Sequence, residues 1–165
     1  MAPYATQFRG IDISENMVKE YNTRATNQGY SPAQMFAIRG DLLVRDNPPS
    51  SISGPDFYNF DLAVVDLGFH HFEDPALASK RLAERLKPGK GVLLIIDFVQ
   101  HDRVMNPAEH TIAHHGFSKE KMEEMFKNAG CVDVDYTVVE EPLRLGAELG
   151  GHERKVFMIR GRRDS

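Results

Sequence analysis

Two near-continuous apolar runs, FDLAVVD at residues 60–66 and VLLIIDF at 92–98, constrain the fold more than anything else in this chain. Each is the length of a strand and too short for an ordinary helix, and each is rich in β-branched or long aliphatic residues. Runs apolar on both faces are what the strands of a parallel sheet become when helices cover them, so FDLAVVD is expected in the middle of a sheet. Between the two runs, Pro75 opens a segment whose Leu77, Leu82 and Leu86 recur at helical spacing up to LKPGKG. That is a strand, a crossover helix and a second strand.

The same grammar runs through the rest of the chain. Phe8 to Ile13 reads as a strand; Ser14 caps a helix whose Met17, Val18, Tyr21 and Ala25 share a face, and Gly29 ends it. MFAIRGD, 35–41, is the next strand, followed by a polar loop from Asp46 to Asp56 rich in Pro and Ser. Ser118 caps a late helix carrying Met122, Met125, Phe126 and Ala129 as core residues, and Gly130 stops it. CVDVDYTVVE alternates as a half-exposed strand should, and KVFMIRGR closes the chain; the expected end is an antiparallel pair. The fold class is therefore α/β: a Rossmann-like, mostly parallel sheet with helices on both faces and an antiparallel C-terminal strand pair, read as a single domain over residues 1–165.

Four apolar runs end on an acid. GID, RGD, VVD and IID put Asp12, Asp41, Asp66 and Asp97 at the carboxyl ends of successive strands, bordering the crevice where open α/β sheets take their ligands. An acid there can also simply cap the next helix. Four together favour the crevice. Partners are narrowed by charge: 24 Asp+Glu against 20 Lys+Arg leaves no footprint for nucleic acid or an anionic membrane, so the expected partner is a small molecule, with no nucleic acid and no membrane. The basic close, RKVFMIRGRRDS, reads as a solvated strand edge. One cysteine, Cys131, forms no internal disulfide, no apolar run approaches the roughly 18 residues of a membrane span, and a cytoplasmic location is the expectation.

GIDISENMVKEYN, GDLL, FDLAVVDLGFHHFEDP, RLKPGKGVLLIIDF and the final VFMIRGR, in that order, resemble the class I S-adenosylmethionine-dependent methyltransferases, in particular the small-molecule type near the ubiquinone-biosynthesis enzymes. The resemblance runs from Phe8 to Arg162. It implies S-adenosylmethionine as cofactor and methyl transfer to a small-molecule acceptor as the reaction. It also implies roles for residues: Asp12 accepting from the ribose hydroxyls, Ile13 and Met17 packing on the adenine, Asp41 accepting from the adenine amino group with Leu42 beside it, and Asp66, Leu67 and Gly68, up to Phe69, lying along the methionine part and facing the acceptor. The family's glycine-rich first motif, with its strand and helix, would occupy about 30 residues ahead of YATQFRGID. By this comparison the chain resembles a methyltransferase cut after its first βα unit. The strands at 8–13 and 60–66 would then lack a shared neighbour, which a second copy of the chain in a homo-oligomer would supply, and a degenerate domain that binds adenosine or a protein without turnover is the alternative reading.

Seven histidines suggest a rival chemistry. His110, His114 and His115 stand at i, i+4 and i+5, and with His70, His71, His101 or His152 they would suit a metal. Neither a cysteine cluster nor a His-Glu-x-x-His pattern accompanies them, and no metal is expected. His70 and His71 read as a packed turn and HTIAHHGFS as a loop over the acceptor pocket. The sequence singles out no catalytic residue, with His71 and His115 as candidate general bases.

Overall fold

The computed structural model describes residues 5–45, 50–102, 112–146 and 153–165. These form two compact units, divided after Tyr58.

The first unit is a βαβ motif. Strand β1 (Phe8–Asp12) pairs in parallel with β2 (Met35–Arg39), residue 8 opposite 35 through residue 12 opposite 39, and helix α1 (Glu15–Asn27) makes the crossover. Ser14 caps α1 by accepting from the Met17 N–H, and Gly29 ends it in the left-handed region at φ 83°. Ala25 is buried and Val18 and Tyr21 half-buried, but Met17, placed on the same face by spacing, is exposed. Asn22 joins the inward face instead: its carboxamide accepts from Ala37 N–H at 2.8 Å and donates to Ala37 C=O at 2.9 Å. In the described part of the polar stretch after β2, 3₁₀ turns at Ser50–Ile52 and Pro55–Phe57 bury Ile52 and Phe57. A loop polar by composition thus carries the core residue Ile52, with Phe57 just past its end.

The second unit is a four-stranded sheet in the order β3-β4-β8-β5. β3 (Leu62–Asp66) and β4 (Val92–Phe98) are parallel, joined through helix α2 (Pro75–Ala83), which Asp74 caps from Leu77 N–H. β8 (Val156–Arg163) inserts antiparallel between β4 and β5 (Cys131–Val138). The antiparallel ending expected from the sequence is therefore present, with the last strand lodged inside the sheet. A short antiparallel ladder joins β6 (Leu143–Arg144) to β7 (Glu153–Arg154). Helix α3 (Lys119–Asn128) packs on α2 and β5.

Strand alternation decides the core. Leu93 and Ile95 of β4, Phe157 and Ile159 of β8, and Met122 and Phe126 of α3 are fully buried, because one face of each strand turns to the helices. β3 differs from its expected central position: among the described residues it pairs only with β4, as β1 pairs only with β2, and Leu62 is exposed. Among the described residues, each of the two strands expected to flank a common neighbour therefore pairs on one side alone.

Candidate functional site

At the carboxyl ends of β1 and β2 the first unit places five of the residues singled out above. Asp12 Oδ1 accepts from Ser14 N–H at 2.8 Å, and Asp41 Oδ1 accepts from Leu43 N–H at 2.7 Å. Both carboxylates thus bend their own backbone into a turn and keep a second oxygen for other donors. The two strand ends are fastened by Gly40 N–H to Asp12 C=O at 2.9 Å and by the Arg39 guanidinium to Ile13 C=O at 3.1 Å. Leu42 is buried, whereas Ile13 is 68% and Met17 58% exposed. Two large apolar side chains open to water beside a strand-end carboxylate are the feature that needs a partner.

A different concavity lies elsewhere in this unit. It is shallow, about 760 Å³, and is lined by Arg9, Asn22, Thr26, Tyr30, Met35 and Phe36 among others. None of Asp12, Ile13, Met17, Asp41 or Leu42 lines it.

The second unit gathers its polar groups where β3 and β4 end. Asp66 is exposed, and Leu67, whose N–H bonds to Ile96 C=O at 2.9 Å, takes φ 50°. A leucine in the left-handed region is rare and strained, and such strain collects at functional segments. Gly68 leads into a 3₁₀ turn, Phe69–His71, the packed turn expected for the paired histidines. The acid of β4 is not at a crevice edge. Asp97 is 0% exposed; its Oδ2 accepts from His70 N–H at 2.9 Å, and its Oδ1 takes Phe98 N–H at 2.7 Å and meets His70 Nδ1 at 2.8 Å. Of the four strand-end acids read as a set, this one serves the protein's own turn. Its position carried the signal: Asp97 shares the buried face with Leu93 and Ile95, and an acid there must find donors inside the protein.

Residues 112–117 complete the frame. Ala113 and His114 N–H both donate to His70 C=O, at 3.1 and 3.0 Å, and Phe117 N–H donates to Phe98 C=O at 3.0 Å. Gly116, at φ 75°, lets this loop press on β4, since a Cβ there would stand 2.5 Å from Val99 O. Four imidazoles and a phenyl ring lie in sequence: His71 to His70 at 4.1 Å, His70 to Phe98 at 5.2 Å, Phe98 to His101 at 6.3 Å and His101 to His115 at 5.9 Å. Burial pushes the His114 and His101 rings below the ordinary value, helped for His114 by Lys121 and for His101 by Arg154. Among the described residues no three His, Cys, Asp or Glu side chains are grouped to hold a metal ion; His110 and His152 lie outside them. Burial holds the Cys131 thiol up at about 11, so it stays protonated and inert.

The comparisons with known proteins bear on this arrangement. A family model described as a methyltransferase domain matches residues 1–95. The chain belongs to the class I methyltransferases. It is 28% identical over 141 residues to an uncharacterized methyltransferase of Schizosaccharomyces pombe, a match covering 81% of this chain and 48% of that one. The chain thus spans about half the length of that curated relative. Among solved structures, the YcgJ protein of Bacillus subtilis superposes with a TM-score of 0.75 at 16% identity, covering 99% of this chain and 85% of the other. Phosphoethanolamine N-methyltransferase 2 of Haemonchus contortus, solved with phosphomonomethylethanolamine and S-adenosylhomocysteine, gives 0.68 at 16% identity over 99% of this chain and 45% of that one. These likenesses establish the Rossmann-like methyltransferase fold. No helix of the described residues is long and apolar enough to cross a membrane.

Proposed function

We propose that this methyltransferase domain, a single one over residues 1–165, binds S-adenosylmethionine and serves methyl transfer to a small-molecule acceptor. The observation that carries the reading is the exposed pair Ile13 and Met17 beside Asp12. The donor set fits the cofactor. Asp12, with Oδ1 engaged by Ser14, offers Oδ2 to ribose hydroxyls, as an acceptor-only group should. Ile13 and Met17 supply apolar surface for an adenine face, and Asp41, similarly engaged at one oxygen, accepts from the adenine amino group beside Leu42. Asp66, Leu67 and Gly68 would flank the methionine part, the strained Leu67 setting the path of the chain. The cofactor supplies a methyl group already activated on a positively charged sulfur. What the protein contributes is alignment, an apolar setting and, where the acceptor carries a proton, a group to take it. A net charge of −4 gives the chain no overall attraction for nucleic acid or an anionic membrane, in keeping with a small-molecule partner, and the proposed setting is the cytoplasm.

Calorimetric titration with S-adenosylhomocysteine tests the assignment. Replacing Asp12 by Ala removes a charged acceptor worth about 1.5–3 kcal/mol, so affinity should fall roughly 10-fold to 150-fold. Unchanged affinity in Asp12→Ala would remove the ribose role from this residue.

A further inference from the structure

We propose that His70 is the proton-accepting group for the methyl acceptor and that Asp97 is its positioning residue, an inference that rests on placing the acceptor beside residues 66–69. Asp97 is wholly buried and, as an ionised carboxylate, only accepts; two of its three partners are backbone N–H groups, of His70 and Phe98. The third, His70 Nδ1 at 2.8 Å, must therefore bring a hydrogen. That fixes the neutral ring as the Nδ1–H tautomer and leaves the lone pair on Nε2. An imidazole with its tautomer set by a buried carboxylate is the arrangement that accepts a proton at one stated atom.

The surroundings hold that atom in place. The backbone of His70 is tied at both ends, its N–H to Asp97 and its C=O to Ala113 and His114. Its ring lies between His71 and Phe98, and the residue keeps 6% of its surface exposed. Of the two bases suggested by sequence, His71 is exposed and His115 meets His101 edge-on, whereas the ring of His70 is held by Asp97. The strained Leu67 stands three residues before His70 in the same turn. In the step itself, the acceptor O–H bond breaks, the proton forms an N–H bond at His70 Nε2, and the electron pair stays on oxygen, which becomes the nucleophile. The imidazolium so formed is stabilised by the Asp97 carboxylate through the existing Nδ1–H bond. An acceptor reacting through a hydroxyl is what such a group serves; an acceptor with no proton to lose would not need it.

Nitrogen-15 spectroscopy of the histidine-labelled chain tests this without turnover. The neutral His70 should be the Nδ1–H tautomer. With S-adenosylhomocysteine saturating, added phenol, the probe hydroxyl, should move the His70 Nε2 resonance more than Nδ1. Asp97→Asn should mix the tautomers, and where that variant does not fold the wild-type measurements stand alone. His70→Gln should leave S-adenosylhomocysteine affinity within twofold while methylation of a hydroxyl acceptor loses about 100-fold in kcat with KM little changed. An Nε2–H tautomer in the wild type, or no response of Nε2 to phenol when the cofactor product is bound, overturns the proposal. Failure of S-adenosylhomocysteine to bind overturns the cofactor reading instead, and the tautomer still decides the role of Asp97.

Discussion

Replacing Asp97 by Ala is the perturbation whose size follows most directly from the structure. The wild-type carboxylate receives three hydrogen bonds, and its removal leaves His70 N–H, Phe98 N–H and His70 Nδ1–H without their acceptor in a position with 0% exposure. An orphaned buried donor costs about 1–3 kcal/mol, so two backbone donors alone give about 2–6. Phe98 is only half-buried, which lowers its share and brings the expectation to about 3–5 kcal/mol, the range for breaking a buried pair from one side. For a chain of this size that lowers Tm by about 10–15 °C. Asp97→Asn keeps one oxygen but turns an amide toward a donor, and should fall between. Urea unfolding followed by circular dichroism gives the value, read as a shift in midpoint at constant slope. A loss below about 1 kcal/mol for Asp97→Ala would mean that the carboxylate does not organise the turn, and the reasoning about the His70 tautomer would fall with it.

Two further predictions use other parts of the fold. A Cβ on Gly40 would stand 2.4 Å from Ile52 Cγ2 and 3.1 Å from Ile11 Cγ2, whereas at Gly54 it meets nothing within 4 Å; Gly40→Ala should cost about 1–3 kcal/mol in urea unfolding and Gly54→Ala close to nothing. His101 and His114 titrate below the ordinary 6.5 because burial disfavours their charged forms, so on acidification the unfolded chain takes up protons before the folded one does. Unfolding free energy should therefore rise with pH up to about 6.5 and flatten above it, with His114→Gln reducing the slope between pH 5.5 and 7; an unchanged slope would refute the attribution to that ring.

The legible part of the fold was the part written in local pattern. Ser14 and Ser118 cap two of the helices and Pro75 opens the third, Gly29 and Gly130 terminate two of them in the left-handed region, and β4 carries its apolar run. Non-local facts were harder to read. Nothing in KVFMIRGR says that this strand enters between β4 and β5, because insertion is decided by partners far along the chain. The acids show the same division. Asp12 and Asp41 behave as strand-end acids that fold their own turns, as their neighbours Ser14 and Leu43 allow. Asp97 has the same sequence context, yet period-two alternation turns it inward, and only the placement of His70, 27 residues earlier, gives it a purpose. Met17 shows the reverse case: helical spacing puts it with the core, but it lies in the first turn of α1, beyond the strands that cover Ala25, and is left open beside Asp12.

The most direct test of the central claim is amide chemical-shift mapping of this chain on addition of S-adenosylhomocysteine. Asp12, Ile13, Met17, Asp41 and Leu42 should respond, together with Asp66, Leu67 and Gly68, while Thr26, Tyr30 and Met35 around the shallow cavity should not. Shifts confined to that cavity, or none at saturating ligand, would contradict that claim.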